Sequence, residues 1–173
     1  MPFEEKIVKL VLTAFFIATS ALAQSTASLP SACGPENVRF NVRLNQSPSS
    51  RAMPEPNKAT VYFIQDNGTR SFGIGVHITA RIGVDGSWMG AVKDNSYLPV
   101  FLEPGEHHVC VNLDSDFLRN PVEFAHFTAE AGKVYYFRSR YVSDGFLLLG
   151  PADNDEATYL ITTVPLSVPE TTK

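Results

Sequence analysis

Positive charge is scarce and dispersed, with 14 Lys and Arg against 18 Asp and Glu and a net charge of −4. The arginines Arg39, Arg43, Arg51, Arg70, Arg81, Arg119, Arg138 and Arg140 occur singly. Nucleic-acid recognition needs a basic patch or stripe, so no nucleic-acid partner is expected, and attraction to an anionic membrane surface is not evident. Charged residues of both signs reach only 18% while apolar residues make up 44%, which excludes the composition of a disordered chain. A Gly-x-Ser-x-Gly nucleophile elbow is absent. The pair Gly73-Ile74-Gly75 leads into a strand pattern and not into the helix N-terminus that a phosphate loop requires.

What is present begins with an export signal. Lys6 and Lys9 precede an apolar run from Leu10 to Ala18, and Ala21-Leu22-Ala23 supplies a small-x-small cleavage pattern before Gln24. Glu4 and Glu5 cancel the two lysines, so removal of residues 1–23 leaves the net charge unchanged. The apolar stretch is shorter than the roughly 20 residues of a spanning helix, so a cleaved signal is expected rather than a retained anchor. No transmembrane segment is expected in the mature chain. Gln24 stands where a lipoprotein would carry its acylated cysteine.

Cysteine is limited to Cys33 and Cys110. An even count in an exported chain favours a disulfide between them.

Residues 24–37 are rich in Ser, Ala and Pro, and then period-2 alternation starts. Val38 to Leu44, Thr60 to Gln65, Val76 to Val84 and Trp88 to Val92 read as strands. Tyr97 to Leu102, His107 to Leu113, Val122 to Ala129, Val134 to Val142, Phe146 to Leu149 and Thr158 to Leu166 continue the series. Asp85-Gly86 marks a hairpin because both residues tolerate positive φ, and Pro104-Gly105 predicts another. Ala152 to Ala157 is the one place for a helical turn. The expected fold is an all-β, immunoglobulin-like antiparallel sandwich of about 8–9 strands. Its parts are a signal peptide at 1–23, an N-terminal segment with one strand and a Pro/Ser-rich loop at 24–57, the sandwich domain at 58–166 and a tail at 167–173. Alternation puts Val109, Val111 and Leu113 on one face and His108, Cys110 and Asn112 on the other. Cys110 then points away from the main core, and Cys33 pins the N-terminal segment across the outer side of the sheet.

Lys58-Ala59-Thr60-Val61-Tyr62-Phe63-Ile64, Val84-Asp85-Gly86 with Gly90, Tyr97, Pro104-Gly105-Glu106-His107 and Glu130-Ala131-Gly132-Lys133-x-Tyr135-Tyr136-Phe137-Arg138 follow one another in order. Over about residues 58 to 166 this resembles the bacterial domain of unknown function 2846. The central part also resembles PEGA-type β domains in its Asp-Gly and Pro-Gly-x-His arrangement. The resemblance implies an envelope-associated, immunoglobulin-like sandwich with no established activity and no catalytic residues to carry over.

Candidate chemistry is thin. His77, His107, His108 and His126 raise the question of a metal, densest at Glu106-His107-His108-x-Cys110. Neighbouring strand residues point to opposite faces, so His107 and His108 do not share one ion, and no metal or cofactor is expected. Asp153-Asn154-Asp155-Glu156 lacks the spacing and glycine of an EF-hand, and Asp114-Ser115-Asp116 is equally short of ligands. Trp88 follows a turn directly, so its indole is a candidate for stacking on a sugar or a partner side chain, with Tyr97 beside it as the second ligand-binding candidate. The expected function is that of an exported, periplasmic or extracellular, non-catalytic binding or scaffolding module with an envelope protein or glycan as partner. The alternative is a small hydrolase or metal-dependent enzyme built on His108 and nearby carboxylates.

Overall fold

A computed structural model describes residues 30–46, 55–67, 78–114, 121–142 and 146–172. The signal-peptide reading at 1–23, the Asp114-Ser115-Asp116 turn beyond its first residue, and His77 lie outside the described residues. The strands begin with β1 (Arg39–Asn45), β2 (Ala59–Gln65), β3 (Thr79–Val84), β4 (Ser87–Lys93) and β5 (Ser96–Leu102). They continue as β6 (Gly105–Asp114), β7 (Val122–Ala129), β8 (Val134–Val142) and β9 (Phe146–Pro151), followed by helix α1 (Asn154–Thr163) and β10 (Leu166–Thr172). The strands form a first sheet of order β1-β10-β5-β2-β8-β9 and a second of order β4-β3-β6-β7. Val61, Phe63 and Phe137 from the first sheet meet Ile82, Val109 and Val111 from the second in one apolar core. The all-β sandwich expected from the sequence is therefore what forms.

Two details of the strand connections differ from the expectation. Pro104-Gly105 does not close a hairpin: β5 and β6 lie in different sheets, so the turn carries the chain across the sandwich. Turn chemistry sets the reversal, whereas the apolar faces decide which sheet each strand joins. Second, the pairing is not antiparallel throughout, since β2 runs parallel to β8 and β10 touches β5 in parallel. The Asp85-Gly86 hairpin is as read, with φ of 50° and 83° and β4 returning antiparallel to β3.

Thr158 to Leu166, read as a strand, is mostly helix. Its Thr, Ile and Val content favours strands, yet Asp153 caps the helix by accepting from the Asp155 N–H at 2.9 Å, with Asp155 and Glu156 in the first turn. Ala157 and Ile161, one helical step of four apart, bury themselves with Tyr62, Ile64 and Tyr97 on the outer face of the first sheet. Tertiary burial outweighs local propensity here. The same helix explains why every residue of β2 is buried. The acidic run at 153–156 is thus a helix start. Residues read as the C-terminal tail form β10, which pairs along its length with β1, so the first and last strands of the described chain lie side by side in the first sheet.

Asp94, in the turn between β4 and β5, gathers the ends of the stretch between residues 67 and 78. Its carboxylate accepts from Gln65 Nε2 at 3.1 Å, from Asn67 Nδ2 and from the Ile78 N–H at 3.0 Å. Its own N–H donates to the Ile78 carbonyl at 2.9 Å.

The disulfide joins Cys33 to Cys110 with Cα atoms 5.1 Å apart. As alternation implies, Cys110 faces away from the core, yet it is fully buried because residues 30–38 lie across it as a strap. The strap is held by main-chain acceptors: Ala32 O receives the Gly86 N–H at 3.2 Å and Pro35 O receives Trp88 Nε1 at 2.8 Å. Arg81, only 5% exposed, donates through Nη1 to Val38 O at 2.8 Å and Glu36 O at 3.3 Å, and through Nε to Asn112 Oδ1 at 3.1 Å. Its guanidinium sits 4.5 Å from the Trp88 ring centroid.

Three outcomes follow. The bridge closes a sequence separation of 77 residues, so replacing both cysteines by alanine should cost roughly 4–5 kcal/mol on the chain-entropy model, read from denaturant midpoints. Thiol titration of the untreated protein should find no free cysteine. A Cβ on Gly34 would lie 2.3 Å from Trp88 Cδ1, so Gly34→Ala should lower stability by about 1–3 kcal/mol and shift the Trp88 fluorescence as the ring is displaced.

Candidate functional site

The aromatic pair singled out from the sequence is divided by the fold. Trp88 lies on the outer face of the second sheet, half-buried, its ring pressed by Gly34 and Arg81. Tyr97 belongs to the first sheet, is 2% exposed and packs on Tyr62, ring centroids 5.9 Å apart, beneath α1. The two rings do not make one open stacking platform.

The histidines divide as alternation requires. His107 turns toward the core side and leans on Phe127, with ring centroids 5.9 Å apart. Its Nδ1 meets Asp85 Oδ2 at 2.6 Å and its Nε2 meets the Glu103 carbonyl at 2.7 Å. Both ring nitrogens face acceptors, an arrangement that only the imidazolium satisfies as a double donor. Asp85 Oδ1 in turn accepts the His108 N–H at 2.8 Å. Burial works against charge on His107, but the Glu103 carbonyl and the Asp85 carboxylate outweigh it and hold the group above its ordinary value. For Asp85, burial is likewise opposed, by the His108 N–H and then by His107, and the carboxyl lies below its usual range. This is a clasp between the β3–β4 turn and the start of β6. His108 points outward, opposite His126, and among the described residues no group of three or more His, Cys, Asp or Glu could hold a metal ion.

A convergent surface lies elsewhere, on the outer face of the first sheet where α1 stops covering it. Arg138 and Arg140, two apart on β8, project to the same side, and across the ladder Arg140 faces Leu148 and Val142 faces Phe146. With Leu148 to Ala152 and Glu156 of α1, the arginines line an open groove of about 440 Å³. Arg138 is largely buried and pairs with both Asp66 and Glu156. Burial, then the neighbouring Arg140, lower its affinity for the proton, against the pull of Glu156. Arg140 is 47% exposed and only loosely held, 4.0 Å from Asp66 and 3.9 Å from Glu156. Beside it Leu148 and Phe146 are 54% and 63% exposed, on a strand at the edge of the sheet. The groove thus sets a half-exposed guanidinium, loosely paired with Asp66 and Glu156, beside an apolar ledge. Reading the arginines as scattered singles missed it. The signal was their spacing, since Arg-x-Arg on a strand doubles the charge on one face.

A family model described as "Protein of unknown function (DUF2846)" matches residues 55–152, which hold β2 to β9, while the strap, β1, α1 and β10 lie outside it. Nothing matches among the curated proteins or among the solved structures.

The clasp makes a pH prediction. His107, raised in the folded chain, contributes stability that is complete below about pH 6.5 and is lost as pH rises through its raised value. Asp85, lowered, contributes stability that is present above about pH 3.8 and is lost as pH falls through its lowered value. The clasp is therefore strongest between those two limits. In Asp85→Asn, NMR titration of His107 should show its pKa fall, with the stability difference from the parent shrinking above neutral pH.

Proposed function

Because the chain belongs to the family of proteins of unknown function DUF2846, whose members offer no established chemistry to transfer, we propose that it is an exported, non-catalytic binding module of the cell envelope. Its ligand face is the groove on the first sheet. Export is supported by the signal-like residues 1–23 and by the Cys33–Cys110 bridge, which suits an oxidising compartment. Among the described residues no helix is long and apolar enough to cross a membrane.

The observation that carries the binding role is Arg140 lying loosely beside exposed Leu148 and Phe146. Large apolar side chains exposed together at a sheet edge mark interaction surfaces. Paired with an available guanidinium, they fit a protein segment carrying a carboxylate and an apolar side chain. A glycan partner is less favoured, because sugar stacking wants an open aromatic face and the Trp88 ring is covered by Arg81 and the strap.

Immobilised protein exposed to a cross-linked envelope fraction tests the proposal. The parent should retain a reproducible partner that both Leu148→Asp and Arg140→Glu lose by tenfold or more, the scale of an interface anchor. The same proteins retained by all three would place the binding face elsewhere.

A further inference from the structure

Strand alternation separates His107 from His108, but it also aligns His108 with a histidine on the next strand. In the antiparallel β6–β7 register His108 stands directly opposite His126. Both are exposed on the outer face of the second sheet, with ring centroids 6.5 Å apart and planes tilted by 31°. Among the described residues, no hydrogen bond or ion pair engages either ring. We propose that this cross-strand pair is a two-point chelating site for a borderline divalent transition-metal ion, Cu2+, Ni2+ or Zn2+.

The geometry supports it in three ways. Residues directly opposite in an antiparallel pair have Cβ atoms about 4.5–5.5 Å apart, so two imidazoles rooted there converge on one point. Metal–nitrogen bonds of about 2.0–2.1 Å at tetrahedral or square-planar angles bring ring centroids to about 5 Å. The exposed rings need to close by only an ångström or two, which rotation about χ1 and χ2 provides. The backbone beneath them is fixed. β6 is paired on both sides, to β3 and to β7, and Cys110, two residues beyond His108, is tied to Cys33. Register slippage, which would separate the two histidines, is thereby opposed.

The chemistry is that of neutral imidazole, a good ligand for copper, nickel and zinc and a poor one for magnesium or calcium. Two protein ligands leave the other coordination positions to water or to a donor on a bound molecule. Affinity should follow the usual order, copper above nickel and zinc. The site is on the opposite sheet from the groove and does not depend on that reading.

The test is Zn2+ titration of tag-free, disulfide-bonded protein, followed by calorimetry and by histidine ring NMR, with Cu2+ calorimetry for the order of affinity. One Zn2+ per chain should bind, with the shifts concentrated on the rings of His108 and His126. Because the second ligand acts at high effective concentration, His108→Asn and His126→Asn should each weaken binding by about 100-fold, and the double variant should abolish it at this site. Unmoved ring signals of either histidine at saturating Zn2+ would overturn the proposal. So would an affinity in His126→Asn equal to that of the parent, since the ion would then be held elsewhere.

Discussion

A guanidinium that is 5% exposed has lost its water and must be given acceptors, and Arg81 sits under that constraint on the outer face of the second sheet. Asn112, opposite it in the β3–β6 register, supplies one acceptor, and the carbonyls of Glu36 and Val38 supply two more. Those carbonyls are available only because the strap lies across the sheet. Trp88 completes the arrangement by stacking under the charge while its own N–H goes to Pro35. Arg81, Trp88, Gly34 and the disulfide are thus one unit. Without the strap, the second sheet would present Arg81, Trp88 and the Cys110 sulfur to solvent on the part of its outer face that the strap now covers.

The first sheet solves a similar problem with α1. β2 is buried on both faces, one by the core and one by Ala157 and Ile161 of the helix. The family segment supplies β2 through β9, whereas the strap, β1, α1 and β10 come from outside it. The two coverings therefore lie outside the matched residues. The groove arises at the border of one of them, where Glu156 from the helix meets Arg138 and Arg140 from the family's β8. The paired histidines, by contrast, stand wholly within the family segment.

Legibility in the sequence followed the range of the interactions. Alternation is local, and it located the strands and correctly turned Cys110 away from the core. Sheet membership is not local. Pro104-Gly105 announces a reversal but contains nothing that says whether β5 and β6 bond to each other or face one another across the core. In Thr158 to Val164 the β-branched residues speak for a strand, and only the buried Tyr62 and Tyr97 beneath them reveal why a helix is preferred. The groove was hidden for the same reason. Asp66, Arg138 and Glu156 are far apart in sequence, and nothing local announces that they meet. His108 and His126 were both visible, but their pairing depends on the β6–β7 register, which no single strand encodes.

The pairing of β1 with β10 carries a consequence for the order of assembly. Synthesis delivers residues 30–45 ahead of almost everything they touch: Cys33 waits for Cys110, and Arg39 to Asn45 wait for Leu166 to Thr172. Such distant pairings close late, because the loops they span must first be ordered by shorter-range structure. The earliest-made part of the described chain is thus the last to find its place. Until it does, the half-built sandwich leaves the outer side of β10 without a partner and Cys110 without Cys33. The final step, closing Cys33 onto Cys110, needs an oxidant as well as the finished second sheet.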